Sequence, residues 1–500
     1  MFRCLLRRIA ATLVFAAAIP NLAACASTSP KPAFKEVSAL VEQRTGGRRL
    51  YWNNGTLEDT EVAKAIARML EHEMSEDVAV QIALLNNRKL LGTYEELGIA
   101  QADVVQAGLL RNPTFGASVR LGDRQGPLPT ETLGVTQDFL SVLTLAARKK
   151  IANRRLEATK LRVADAVLET ARNTKVAYVH AQAAEQMVAM RRTILEAAEA
   201  SIELARGQHE AGNLNDFELA TQEGQYEAVR LELTRAETEA IEAREELNRE
   251  LGLWGKQLGW RIRGRVAEIP TSEPPLESLE TLAIDQRLDL AAAKLESSAL
   301  EKSLAMTRGF RWLGGLDVGL TADRHGGEGG GWDFEPNASI ELPIFDQRQA
   351  VIARLEAEVR QSHFRIRAIA VDIRSEVRAL RARLTLSRGV LERYQKVLVP
   401  LQERIVTLAQ EQYNAMLLGV FQLLQAKQAE INAYSAFIDA ARSYWVARAD
   451  LERAVGGRLP PPQGHPPAPS APSGSPAPQK PSSPQQPQSP SSHEHHHGAS

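Results

Sequence analysis

The chain has 500 residues, with 60 Lys and Arg against 61 Asp and Glu and a formal net charge of −1. That balance leaves no basic footprint for nucleic acid. Its two cysteines, Cys4 and Cys25, exclude a disulfide framework, a Cys-X-X-Cys redox pair and a cysteine-based zinc site.

Arg3, Arg7 and Arg8 lead into "IAATLVFAAAIPNLAA", an apolar run too short to span a bilayer comfortably. Residues 1–24 therefore read as a signal peptide. The run ends in "LAAC", Leu22 to Cys25, which resembles the lipobox of bacterial lipoproteins. The resemblance implies cleavage before Cys25, acylation of its thiol and, because Ala26 rather than an aspartate follows, transfer to the outer membrane. Acyl chains anchor by about 0.8 kcal/mol per buried CH₂, and residues 25–58 become a lipidated N-terminal segment.

The first half then begins near residue 59. "TFGASVRLG" puts Phe115, Ala117, Val119 and Leu121 on one face, and "TLGVTQDF" puts Leu133, Val135 and Phe139 there. This period of two predicts strands near 113–122 and 130–140. A long helix follows, with small residues stepping by four and three: Val163, Val167, Thr170, Thr174, Ala177, Ala181, Ala184 and Val188. Small seam residues let a neighbouring helix come close. The turn "EAGNLNDFELATQ" leads into a return helix, and residues 195–250 hold 15 acids against 5 arginines.

After a connector at 256–278, the second half repeats the plan. "GLDVGLTA" puts Leu316, Val318, Leu320 and Ala322 on one face. "EPNASIELPIF" puts Pro336, Ala338, Ile340, Leu342 and Ile344 opposite Glu335, Asn337, Ser339 and Glu341. These predict strands near 312–323 and 333–344, with "DRHGGEGGG" as a flexible loop between them. Each of the four strands extends to about 9–11 residues, the length of a tilted transmembrane strand. Trp312, Trp332 and Phe334 sit near strand ends, where aromatic girdles belong.

From near Asp346 a heptad runs through Ile366, Ile373, Leu380, Ser387, Tyr394, Leu401 and Leu408. Its companion row is Ala370, Val377, Leu384, Leu391, Leu398 and Ile405. This is a coiled-coil seam on a helix of about 100 Å, which Pro400 should bend. Residues 365–393 hold 8 arginines against 3 acids, so this helix is expected beside the acidic return helix, paired through e- and g-type charges.

The two halves share a sequence. "AREELNRELG" (243–252) and "ARADLERAVG" (447–456) agree at five of ten positions, and at the same offset of 204 Phe217 and Glu218 match Phe421 and Gln422. So long a repeat marks a duplicated half-molecule, here 59–255 and 279–457, and not a solenoid. From 458 onward Pro, Ser, Gln and Ala dominate, which predicts a disordered tail. It ends in "SSHEHHHGAS", where His493, His495, His496 and His497 form a weak candidate site for copper, nickel or zinc.

Open sheet edges cannot face lipid and four strands cannot close a barrel, so several copies must pool their strands; three would give twelve. The marks "RNPTFG", "LPIF", the turn "EAGNLNDFELATQ" and its partner "NAMLLGVFQLLQAKQ", in this order and duplicated, resemble the lipoprotein members of the TolC-type outer-membrane efflux channels. The resemblance implies a mainly α chain with a small β part: a homotrimer with a twelve-stranded barrel in the outer membrane and a coiled-coil α-barrel crossing the periplasm. It also implies docking on a periplasmic adaptor and an inner-membrane pump, and no cofactor.

In the family, carboxylates on the return helices close the periplasmic aperture. Carried over, those positions fall on Asp216, Glu218, Gln422 and Gln425, a less acidic entrance than the family pattern. Gly212 and Gly419 are expected as turn formers at the docking tips, with Asn213 and Asn414 satisfying exposed backbone groups. No HExxH, GxSxG, P-loop or glycine-rich nucleotide fingerprint is present, which argues against an enzyme. The expectation is an efflux duct, with metal ions such as copper as leading cargo. A drug-efflux or secretion duct of the same fold and a pore-free, lipid-anchored coiled coil are the rivals; strand content separates the last.

Overall fold

The computed structural model describes residues 27–53, 55–120, 130–262, 264–266, 269–270, 278–325 and 331–459. The signal peptide, Cys25, the histidine cluster and most of the two strand-to-strand loops lie outside the described residues. Two leading helices, α1 (Lys31–Thr45) and α2 (Leu57–Leu70), and a short strand β1 (Glu73–Met74) precede the first repeat, which in the structure begins at the next helix and not near residue 59 as expected. That repeat comprises α3 (Glu76–Asn86), α4 (Arg88–Ala107), β2 (Thr114–Arg120), β3 (Thr130–Asp138), α5 (Leu140–Glu210) and α6 (Asp216–Leu251). Strand β4 (Arg261–Ile262) follows and pairs in parallel with β1. The second repeat comprises α7 (Leu279–Gln286), α8 (Leu288–Gly309), β5 (Leu316–His325), β6 (Trp332–Ile340), α9 (Gln349–Arg393), α10 (Val399–Asn414) and α11 (Val420–Val455).

The duplication is legible in backbone angles. The break between α3 and α4 at Asn87 has φ −60° and ψ 117°, and the break between α7 and α8 at Arg287 has φ −62° and ψ 122°. The return helices α6 and α11 both end on a left-handed glycine, Gly252 and Gly456. Left-handed φ is nearly free only for glycine.

Helix α5 runs for 71 residues, about 107 Å at 1.5 Å per residue. The expected seam is its buried stripe: Val163, Val167, Thr174, Ala177, Ala181, Ala184 and Val188 are all buried. In α9 the seam holds at Ile373, Val377, Leu384 and Leu391, then fails, because Leu401, Ile405 and Leu408 are exposed. A π turn at Tyr394–Leu398 is the cause. Pro400 has no N–H to give the carbonyl four residues back, and the wider turn inserts a residue that rotates every later position by about 100°. The expected bend is thus a π turn, and the heptad does not continue through it.

Helix α5 packs on α6 and on α11, and α11 packs on α9 and α10; α5 also packs on α4 and α8, and α8 on α9. The helices of the lower half therefore follow one another as α6, α5, α11, then α9 with α10. The acidic return helix and the basic long helix occupy opposite ends of that row. Within one chain they are not side by side as the charge pattern suggested.

The two halves are joined along α5 and α11 by ion pairs. Arg172 meets Asp450 at 2.5 Å, Lys175 meets Glu452 at 2.5 Å, and Arg453 reaches Asp165 at 2.9 Å and Glu169 at 2.8 Å. Arg44 of α1 adds a clamp. Its Nη1 donates to the carbonyls of Gln286 and Gly456 at 2.6 and 2.7 Å, placing a cation at the negative ends of α7 and α11. The N-terminal segment is thereby tied to the second repeat, a link no motif announced.

Candidate functional site

The strands form one antiparallel sheet in the order β2-β3-β5-β6. Residues paired across an antiparallel ladder share a face, so the register decides what each face carries. Phe115 pairs with Val135, which pairs with Leu320, which pairs with Pro336; Ala117, Leu133, Ala322 and Phe334 form the next row. The other face carries Thr136, Gly319 and Asn337 in one row and Asp138, Asp317 and Ser339 in another. Four separately read alternations thus merge into one polar face and one face that is apolar between Gln137 at one end and the Glu131–Arg324 pair at the other.

β6 ends at Ile340, short of the expected 344. Glu341 still donates to the carbonyl of Gly315 at 3.0 Å, but Pro343 has no N–H to continue a ladder, and Leu342, Ile344 and Phe345 are exposed. Trp332 and Phe334 lie on the apolar face at the loop end of the sheet, while Trp312 precedes β5 and carries Arg311 over its ring at 4.3 Å.

At the other end of the molecule the two helical hairpins turn. Between α5 and α6, Gly212 is left-handed at φ 78°. The N–H of Asn213 donates to Gln208 O and that of Gly212 to His209 O, both at 2.8 Å. This is a Schellman turn, and Asn213 contributes backbone to it. The second turn has the same bonds, Leu417 to Gln412 and Met416 to Tyr413, both 2.9 Å, with Met416 left-handed at φ 58°. Gly419 is not its counterpart of Gly212. It is extended, φ −76° and ψ 156°, and caps α11. The offset of 204 shows why: it maps Gly212 onto Met416 and Asn215 onto Gly419. Asn414 accepts from Gln410 Nε2 at 3.1 Å.

The aperture residues divide into capping and free groups. Asn215, which sequence reasoning missed, accepts from the N–H of Glu218 at 2.9 Å, and Glu218 accepts from the N–H of Asn215 at 3.2 Å, a capping box. Gln422 keeps half of it, accepting from Gly419 N–H at 2.8 Å. Asp216 is 98% exposed, 3.5 Å from His209 Nε2, and Gln425 is exposed on α11. Beside them Phe217, Met416 and Leu417 stand in solvent.

Above the tips, a cavity of about 1560 Å³ separates the hairpins, and Gln425 lines it. Its wall mixes signs: Arg191 lies 3.9 Å from Glu232, and the nearly buried Glu430 is paired with Lys427. Tyr434 donates to Glu403; that bond and burial push its pKa up to about 12, so the phenol stays neutral. The cavity needs both hairpins, which is why no local motif signals it. Among the described residues no cluster of His, Cys, Asp and Glu is fit to hold a metal ion, and no helix is long and apolar enough to cross a membrane.

The family model described as "Outer membrane efflux protein" matches residues 79–253 and 279–457, the two repeats. A search of curated proteins returns no match. Among solved structures, a membrane protein from Pseudomonas aeruginosa is 21% identical with a TM-score of 0.65, over 76% of this chain and 92% of that one. The CmeC outer membrane channel of Campylobacter jejuni is 15% identical with a TM-score of 0.67, over 82% and 91%. The outer membrane protein VceC of Vibrio cholerae is 15% identical with a TM-score of 0.62, over 80% and 97%. With the duplicated hairpins, the two-faced sheet and a family match over both repeats, the chain belongs to the outer membrane efflux protein family, a channel family and not an enzyme family, and is a channel component of an efflux system.

Proposed function

We propose that three copies of this chain form a passive duct that carries cargo from an inner-membrane pump and a periplasmic adaptor across the periplasm and the outer membrane. One observation carries the reading. The apolar residues of all four strands lie on one face, while β2 and β6 each pair on one side only. Unpaired edges are excluded from lipid and eight strands are the usual minimum for closure, so the sheet needs other copies; three supply twelve strands. The apolar face then meets lipid and the polar face lines the pore.

The lower end is assigned to recognition and gating. Docking falls to the tips around Gly212, Asn213, Asn414 and Gly419, supported by the exposed Phe217, Met416 and Leu417, apolar groups that a partner would cover. Asp216 and Gln425 are the aperture groups left open to cargo, since Glu218 and Gln422 serve the helix caps. Cys25 is assigned as the lipid anchor, on the lipobox alone. As cargo we assign metal ions, copper or a related one, on the ground of His493, His495, His496 and His497.

The test is reconstitution. Detergent-extracted protein should migrate as a heat-sensitive trimer with β signal and open single channels in planar bilayers. A monomeric, purely helical extract without conductance would leave a lipid-anchored coiled coil instead.

A further inference from the structure

Helix α5 leaves the sheet directly after β3 and descends from it. Between Leu140 and Leu156 it carries Arg148, Lys149, Lys150, Arg154 and Arg155 and no acid; the first acid is Glu157. Arg148 gives its Nη2 to the Ser141 carbonyl at 2.8 Å. Lys149, Lys150, Arg154 and Arg155 are exposed and, among the described residues, make no ion pair. Lys150 and Arg154, four residues apart, repel each other, and nothing in the chain offsets them.

The lysines belong to the outer face. In its upper half α5 packs between α4 and α8 of its own chain, which leaves one face for the lumen and one for the outside. Helix α1 identifies the outer one, because it descends from Cys25, whose acyl chains belong in the lipid around the barrel. Glu36 of α1 and Glu157 of α5 hold Lys160 between them, at 2.7 and 2.8 Å. Leu143, Lys150 and Glu157 are spaced by seven and share one stripe, so the stripe beside α1 runs apolar, cationic, acidic from the sheet downward. Leu143 is half exposed. Lys149 stands on the neighbouring stripe of Ala152 and Leu156, which pack with Ala33 near the top of α1. Its Cδ lies 3.5 Å from where a Cβ on Gly108 would stand. The N-terminal chain climbs the same groove: Gln101 Nε2 donates to the Ser27 carbonyl at 3.3 Å, seven residues and about 10 Å below Gly108 along α4.

Lys149 and Lys150 are nine and ten residues into α5, at most about 15 Å below the sheet. The headgroup layer is about 5–8 Å deep. Helix side chains lean toward the N-terminus, here toward the membrane, and lysine stems lie along apolar surface with the charge at the interface. Together these bring both ammonium groups up to the lower edge of the headgroups. Trp312, at the foot of β5 with Arg311 over its ring, is the aromatic expected at that height.

We propose that Lys149 and Lys150, with Arg154 one turn below, form a site for anionic phospholipid on the outer face of α5, taking headgroup phosphates of the periplasmic leaflet beside the N-terminal segment. The proposal rests on the duct and lipobox readings and adds a preference for one lipid class.

Full-length protein in phosphatidylcholine vesicles, with trace spin-labelled phosphatidylglycerol or phosphatidylcholine, tests it through the motionally restricted fraction of each label. At low salt the wild type should hold the phosphatidylglycerol label roughly fivefold more strongly, and less so at high salt. Lys149→Gln with Lys150→Gln and Arg154→Gln should bring the two labels near parity. Lys149→Arg with Lys150→Arg should keep the preference, as should Arg404→Gln on the distant α10. Millimolar inorganic phosphate should act no more strongly than sodium chloride of equal ionic strength. Equal holding of both labels by wild type, a glutamine variant that keeps the preference, its loss in the arginine or Arg404 variant, or displacement by phosphate would each overturn the site and leave the duct standing. If neither label is held, the sheet is not in the bilayer and the duct reading fails as well.

Discussion

Four of the five positions shared by "AREELNRELG" and "ARADLERAVG" do the same work twice. Ala243 and Ala447 are buried, as are Leu247 and Leu451; Arg244 lies over the Trp260 ring and Arg448 over that of Trp445; and Gly252 and Gly456 close their helices in the left-handed region. The fifth diverges: Arg453 binds Asp165 and Glu169 on the other half, whereas Arg249 lies 3.9 Å from Glu246 of its own helix. A Cβ on Gly252 would stand 2.4 Å from the Asn86 carbonyl oxygen, while one on Gly212 would meet nothing. Gly252→Ala should therefore cost about 3 kcal/mol or more, strain plus clash, and Gly212→Ala about 1 kcal/mol of strain alone. Thermal unfolding followed by helical circular dichroism in detergent checks this. Equal shifts would show that the Asn86 contact is immaterial.

For the sheet, the decisive property is the register. Leu320 and Thr321 are neighbours in the chain, yet one pairs with Val135 and Pro336 and the other with Gly134 and Glu335, so they lie on opposite faces. Leu320→Arg would put a cation against lipid near mid-membrane, at about 2–4 kcal/mol per copy. Thr321→Arg would put one in the water of the pore. Outer-membrane preparations should show loss of heat-sensitive trimer for the first and near-normal yield for the second, and equal damage would rule out the facing.

At the scale of the whole molecule, the two ends of the chain make separable contributions. Cys25→Ala removes the acceptor thiol, so incorporation of labelled fatty acid should vanish; persistent labelling would show that the anchor lies elsewhere. The tail from 460 lacks apolar residues to join a core. Deleting residues 460–500 should leave folding and assembly intact, yet modestly lower growth on graded copper or zinc at matched channel abundance. Clustered imidazoles bind metal only when neutral, so any metal uptake by the tail should fall as pH drops through about 6.5. Equal tolerance on every metal would remove the support for metal cargo.

The sequence alone was enough for whatever depends on local periodicity. Period-two alternation marked all four strands, four-three stepping marked the buried stripe of α5, and an offset of 204 marked the duplication, because each is set by the geometry of a single element. It misled where a turn's backbone mattered more than its composition: Gly419 looked like the turn former, yet the left-handed position fell to Met416. It also misled where a local insertion changed phase, as the π turn did to Leu401, Ile405 and Leu408. Tertiary structure alone decided the merging of four alternations into one two-faced sheet, the clamp of Arg44 on two distant carbonyls and the cavity between the hairpins. It also put α6 and α9 at opposite ends of the row. These depend on which surfaces meet across hundreds of residues, and a charge run or an apolar row specifies that a partner is needed without specifying where in the chain, or in which copy, that partner lies.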